Sequence, residues 1–86
     1  MQIFTHELIG TFILVLAVLS SHSMVFIAFA FLAAILIANS SGSHINPAIT
    51  LTMYLKGAIN SSQIPEYLIG QILGAIIALK VSQKIN

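Results

Sequence analysis

The sequence contains no cysteine, which excludes disulfide bonds and thiolate chemistry and leaves no indication of the redox compartment. Charged residues are also scarce, at 6% of the chain, whereas a soluble globular domain carries about 25%. A chain that is 58% hydrophobic cannot cover its surface with polar groups in water, and this predicts an integral membrane protein. The formal net charge of +1 provides no basic patch, so nucleic acid is not an expected partner.

Three apolar segments, at about 3–19, 24–38 and 64–81, approach the roughly 20 residues that a spanning helix needs. They predict an all-α, multi-pass membrane protein, which we expect in the cell (inner) membrane. The first seven residues contain no lysine or arginine, whereas a cleaved signal peptide has a basic start. The first segment is therefore expected to be a retained span. No segment has a second copy, so 1–86 is expected to form a single unit.

A polar stretch lies between the second and third segments: Ser41-Gly42-Ser43-His44-Ile45-Asn46-Pro47-Ala48-Ile49-Thr50. Asn46 can cap a helix, and Pro47 suits the first helical position. About ten residues ending at Lys56 then predict a helix of roughly 15 Å, or half a bilayer. We therefore expect a re-entrant loop and half-helix at about 40–56. Irregular backbone at membrane depth is tolerated only inside protein or along a water-filled path.

This stretch resembles the first signature loop of the aquaporin (major intrinsic protein) family. Glu7–Val15 resembles the family's first membrane helix, and Tyr67–Ala75 resembles its third. The resemblance covers nearly the whole chain but half of the family's usual length, because those proteins carry two halves in opposite orientations. It implies half of an aquaporin fold, three transmembrane helices and one re-entrant half-helix, completed by an antiparallel homodimer. A tetramer of such dimers is a further expectation, since the family usually forms tetramers.

The resemblance implies a passive transmembrane channel for water, small neutral solutes such as glycerol, or both. The Asn46 amide would donate to a passing solute oxygen, next to Pro47 and Ala48 of the same motif. The positive end of the half-helix would add to this field and disfavour cations. The alternative function is a non-conducting accessory membrane subunit that needs another chain to fold or to form a pore.

Three loop residues before Asn46 are further candidates. By resemblance His44 faces the pore vestibule; the alternative is a histidine hydrogen-bonded within the loop. The carbonyls of Gly42, Ser43 and His44 would offer water a row of acceptors, and the missing side chain of Gly42 permits a tight bend.

Glu7 lies inside a membrane segment, where a carboxylate should point inward and meet a partner. By resemblance it braces the re-entrant loop, and Gln71 does the same. No second acid or nucleophile is available at depth, so neither an enzyme nor a cofactor is expected. His6-Glu7 is followed by Gly10 where a zinc motif requires histidine, so no metal site is expected.

The selectivity of the expected pore stays open. Counting back from Asn46 favours Phe26 as the aromatic of the constriction, while aligning Ala28-Phe29-Ala30 favours Phe29; either can also face lipid or the core. Ile49 stands where the family's second halves carry an arginine that lines the constriction. Basic residues occur only at 56, 80 and 84. The usual aromatic/arginine filter is therefore absent in its normal form, and water and glycerol are not distinguished.

The orientation of the chain is weakly specified. Lys56 is expected on one side of the membrane, and Lys80 and Lys84 on the other, which gives little positive-inside bias. Insertion in both orientations, with the inverted chain as partner, fits this balance. The alternative is that so few charges simply make the orientation hard to predict.

Overall fold

A computed structural model describes residues 2–85; Met1 and Asn86, the ends of the expected 1–86 repeat, lie outside the described residues. Residues 2–85 form helices and no strand. The helices are α1 (Gln2–Ser20), α2 (Met24–Ile37), α3 (Pro47–Lys56) and α4 (Ile64–Ile85), with 3₁₀ turns at Ala38–Ser41 and Ser61–Gln63. Three stretches are long and apolar enough to cross a membrane: Gln2–Ser20, Met24–Ser41 and Ser61–Ile85. The prediction of an all-helical chain with three such helices is confirmed.

Local signals at both ends limit α3 to ten residues. Asn46 caps its N-terminus, because Asn46 Oδ1 accepts a hydrogen bond from the backbone N–H of Ala48 at 2.7 Å. Pro47 occupies the first helical position. Gly57 ends the helix in the left-handed conformation, with φ of 87°. The helix is therefore about 15 Å long.

The helices α1 and α4 run parallel and touch at two glycines of α4. A Cβ atom at Gly70 would lie 2.7 Å from the carbonyl oxygen of Phe4, and one at Gly74 would lie 2.5 Å from that of Leu8. Both distances are shorter than van der Waals contact, so this approach requires glycine. Gly70-x-x-x-Gly74 is thus a packing seam between α1 and α4.

On another side of α1, the C-terminal end of α2 and the loop that follows it pack against Gly10. A Cβ atom at Gly10 would lie 2.9 Å from Cβ of Ala38 and 2.9 Å from Cγ2 of Ile45. Ala38, Ala34 and Ile45 form a buried apolar cluster. This cluster is small, and many large apolar side chains of the chain are exposed. Such surfaces suit lipid or further helices rather than water.

Candidate functional site

Glu7 of α1 is a fully buried carboxylate that holds the loop between α2 and α3. Its Oε2 accepts hydrogen bonds from Ser41 Oγ at 2.5 Å and from the backbone N–H of His44 at 3.1 Å. Its Oε1 accepts from the backbone N–H of Ile45 at 2.7 Å and from Gln71 Nε2 at 2.9 Å. These four donors replace the water that a buried carboxylate loses. Glu7 thereby links α1, the loop and α4.

The backbone of this loop is strained at two residues that are not glycine. Ser43 has φ of 57° and Ile45 has φ of 42°, in the left-handed region that β-branched residues rarely adopt. The hydrogen bond to Glu7 and the burial of the Ile45 side chain hold Ile45 in place. Ser43 Oγ donates to the carbonyl of Ile35 at 2.5 Å. The conformation of the loop is therefore stabilised by its hydrogen bonds to Glu7 and Ile35 and by the burial of the Ile45 side chain.

A second set of hydrogen bonds joins α4 to the first turn of α3. Gln71 Nε2 also donates to Thr50 Oγ1 at 2.9 Å, so both amide protons of Gln71 are used. Thr50 Oγ1 lies 3.0 Å from His44 Nδ1 and 3.3 Å from the carbonyl oxygen of Asn46. The Thr50 hydroxyl has a single proton, which it donates either to His44 Nδ1 or to the carbonyl oxygen of Asn46. When it donates to Asn46, His44 carries a proton on Nδ1 and donates it to Thr50.

The ring of His44 lies inside the chain and not on its open surface. His44 is 5% exposed, and its ring stacks on Tyr67 with centroids 3.9 Å apart and planes 7° apart. The hydroxyl of Tyr67 donates to the carbonyl of Ser41 at 2.5 Å. Within this chain the ring is contacted by Thr50 and Tyr67. The vestibule-facing role of His44 stays a prediction.

Asn46, Pro47 and Ala48 are exposed at the N-terminus of α3. The Asn46 amide nitrogen donates to no residue among 2–85, since only Oδ1 takes part in the cap. An open cavity of about 320 Å³ lies beside this tip, lined by Thr11, Val15, Ile45, Asn46, Pro47, Gln71, Ile72 and Ala75. The tip thus presents an amide donor at a helix N-terminus, where the backbone contributes roughly half a positive charge.

The N-terminal tip of α3 lies alongside interior turns of α1 and α4 and not beside the ends of these helices. Glu7 is the sixth residue of α1, and Gln71 is the eighth residue of α4. At 1.5 Å per residue, the contacts with the loop lie about 8–10 Å from the start of each helix.

The remaining candidate residues lie in the loop before Asn46 and in the first turn of α3. Gly42 is exposed with φ of 91°, and its backbone N–H donates to the carbonyl of Asn39 at 3.0 Å. No hydrogen bond within the described chain uses the carbonyls of Gly42, Ser43 or His44. Ile49, 39% exposed, follows Ala48 in the first turn of α3.

The two candidate phenylalanines of α2 differ in their surroundings. Phe26 lines a second, almost wholly apolar cavity of about 320 Å³ together with α1 residues such as Phe12 and Leu16. Phe29 lies outside both cavities and is 67% exposed.

Several polar residues of the site were not singled out from the sequence: Thr11, Ser41, Thr50 and Tyr67. A signal was available, because Thr11 follows Glu7 by four residues and Gln71 follows Tyr67 by four. Residues four apart share a helix face, so both pairs mark a polar stripe in an apolar helix. Residues 2–85 contain no cluster of three histidine or acidic side chains that could hold a metal ion.

Comparison with known proteins identifies the family. The major intrinsic protein profile matches residues 21–85. The glycerol uptake facilitator protein-like 6 of Lactiplantibacillus plantarum is 34% identical over 88 aligned positions, covering 91% of this chain and 41% of that protein. Aquaporin Z of Rhodopseudomonas palustris is 48% identical over 42 positions, covering 49% of this chain and 18% of that protein. No solved structure matches the chain significantly.

The fold and the matches therefore define a helical membrane protein, and the chain belongs to the major intrinsic protein family. Members of this family are membrane channels and not enzymes. The chain spans less than half the length of the curated relatives it matches.

Proposed function

We propose that this chain forms a passive transmembrane channel for water, small neutral solutes such as glycerol, or both. The observation that carries the proposal is the unpaired Asn46 amide at the exposed tip of α3, which sits beside an open cavity. An amide donor at a helix N-terminus binds the oxygen of a neutral solute and disfavours cations. The family membership supports the same class of function.

Within this proposal, 40–56 is a re-entrant loop and half-helix. The length of α3, about 15 Å, is half of a hydrocarbon core of about 30 Å. Backbone polar groups at such depth need partners within the protein. The hydrogen bonds from His44 and Ile45 to Glu7 supply such partners, which supports a loop that ends inside the membrane.

The second half of the pore comes from another copy of the chain in the opposite orientation. One α3 tip fills one half of the membrane, and a parallel pair would leave the other half without a tip. An antiparallel pair related by a two-fold axis in the membrane plane fills both halves. Such a dimer brings together two Asn-Pro-Ala motifs, and four dimers form the larger assembly in the cell (inner) membrane.

Stopped-flow shrinkage of proteoliposomes that contain only this chain tests the function. An impermeant osmolyte reports on water, and a glycerol gradient reports on glycerol. We expect shrinkage faster than in empty vesicles, and we expect Asn46→Leu to return it towards the empty-vesicle rate. Folded protein with the rate of empty vesicles would overturn the proposal and favour an accessory subunit that conducts only with a different chain.

A further inference from the structure

Gly10 of α1 follows Glu7 by three residues, so both lie on the same face of the helix. Glu7 Oε1 accepts a hydrogen bond from the backbone N–H of Ile45, and a Cβ atom at Gly10 would lie 2.9 Å from Ile45 Cγ2. Carbon atoms that are not bonded to each other approach to about 3.5–4.0 Å, so a methyl group does not fit here. One face of α1 therefore contacts both the backbone and the side chain of Ile45.

Ile45 has a backbone conformation that needs support from its surroundings. Its φ of 42° is rare for a β-branched residue, and such a conformation persists only where neighbouring groups fix it. Its side chain is 7% exposed and belongs to the buried apolar cluster. Ile45 Cγ2 is bonded directly to Cβ, and χ1 of a β-branched side chain has little freedom, so the atom cannot easily turn away from α1. A side chain at position 10 would therefore displace Ile45 itself.

A displacement of Ile45 would also move the tip of α3. Asn46 follows Ile45 directly, and the two residues share one planar peptide unit. Ile45 and Asn46 line the same cavity. The position of the Asn46 amide therefore depends on the space that Gly10 leaves for Ile45.

We propose that Gly10 is a positioning residue for the Asn46 amide. Glu7 binds the backbone N–H of Ile45, and Gly10 leaves room for its Cγ2 atom. The consequence for permeation rests on the proposed channel function, whereas the consequence for the loop does not. Gly10 also lies against Ala38, because a Cβ atom at Gly10 would lie 2.9 Å from Cβ of Ala38. An ordinary packing role would depend on this second contact rather than on Ile45.

Second-site substitutions in Gly10→Ala separate the two contacts. Ile45→Leu removes the Cγ2 branch, Ile45→Val keeps it, and Ala38→Gly removes the other contact. Amide hydrogen exchange in detergent reports on the Ile45 N–H, whose bond to Glu7 can be followed whether or not the chain conducts. We expect Gly10→Ala to accelerate exchange at this amide several-fold and to slow the shrinkage of proteoliposomes. Amides at 76–80 in α4 should exchange as in the wild type.

The double variants decide which contact matters. In Gly10→Ala, Ile45→Leu should restore slow exchange and permeability, whereas Ile45→Val and Ala38→Gly should not. Each double variant is compared with its second-site substitution alone. Wild-type exchange in Gly10→Ala would overturn the proposal. So would recovery with Ile45→Val or Ala38→Gly that is as complete as with Ile45→Leu.

Two further outcomes are also informative. If Gly10→Ala does not fold, recovery of the fold by Ile45→Leu and not by Ile45→Val supports the contact, and any other pattern overturns it. If wild-type vesicles shrink no faster than empty ones, the proposed channel function fails, and exchange at the Ile45 amide still decides the role of Gly10.

Discussion

The backbone N–H of Ile45 donates a hydrogen bond to Glu7 Oε1 at 2.7 Å, although 38 residues separate the two in sequence. Ile45 has φ of 42°, a conformation that a β-branched residue does not adopt without external support. A carboxylate on α1 thus stabilises the backbone conformation that leads into the tip of α3. The shape of the proposed pore site therefore depends on a side chain from a different helix.

Glu7→Gln is expected to weaken the loop strongly. The amide nitrogen of glutamine cannot accept, so at least one donor among His44, Ile45 and Gln71 loses its partner. A hydrogen bond to a charged group contributes about 1.5–3 kcal/mol, and the loss should be at least of that order. Thermal unfolding in detergent measures the stability, and proteoliposome shrinkage should fall with it. Glu7→Asp keeps the charge on a shorter side chain, so an intermediate loss is expected. Wild-type melting of Glu7→Gln would show that the carboxylate does not hold the loop.

Two substitutions at Asn46 separate its cap from its free amide. Aspartate is also a good N-cap, so Asn46→Asp should keep the stability but lose the amide donor. Asn46→Leu removes both, which should cost about 0.5–2 kcal/mol of stability. Permeability should fall strongly in both variants. If well-folded Asn46→Asp and Asn46→Leu vesicles shrink as fast as the wild type, the solute path lies elsewhere.

Gly74→Ala tests the contact between α1 and α4. Inside a helix alanine is normally about 1 kcal/mol more favourable than glycine. Here the new Cβ would lie 2.5 Å from the carbonyl oxygen of Leu8, so the helices must separate. We expect a net loss of about 1–3 kcal/mol in thermal or denaturant unfolding. The control is Ile76→Ala on the same helix, at an exposed position. A higher melting temperature for Gly74→Ala would contradict the close approach.

The buried tyrosine supports the loop from α4. Tyr67→Phe keeps the ring that stacks on His44 but removes the hydrogen bond to the carbonyl of Ser41. The expected loss is about 1 kcal/mol. Tyr54→Phe is the matched control, because Tyr54 is 39% exposed and is the other tyrosine of the chain. Similar melting temperatures for the two variants would mean that the Tyr67 hydroxyl contributes little.

The sequence was sufficient for the features that depend on local signals. Long apolar runs predict the three span-capable helices. Asn46 and Pro47 have local preferences for a helix N-terminus, and the structure has them at the start of α3.

Tertiary contacts were harder to predict. The His44 ring is buried because it stacks on Tyr67, 23 residues away, and forms a hydrogen bond with the Thr50 hydroxyl. The pairing of Gln71 with Thr50 likewise depends on how α3 docks against α4. The four-residue spacing of Tyr67 and Gln71 marks a shared helix face, but it does not show which distant residue each side chain contacts.

Two-sided cysteine labelling tests whether the pore consists of two inverted copies of the chain. The chain has no native cysteine, and His22 is exposed in the turn between α1 and α2. His22→Cys in a preparation with measured channel activity is treated with a membrane-impermeant maleimide, first from outside and then after the membrane is opened. We expect about half of the copies to label from outside and the rest only after opening, because antiparallel pairs contain equal numbers of both orientations. Labelling of every copy from a single side, with activity retained, would contradict the inverted dimer.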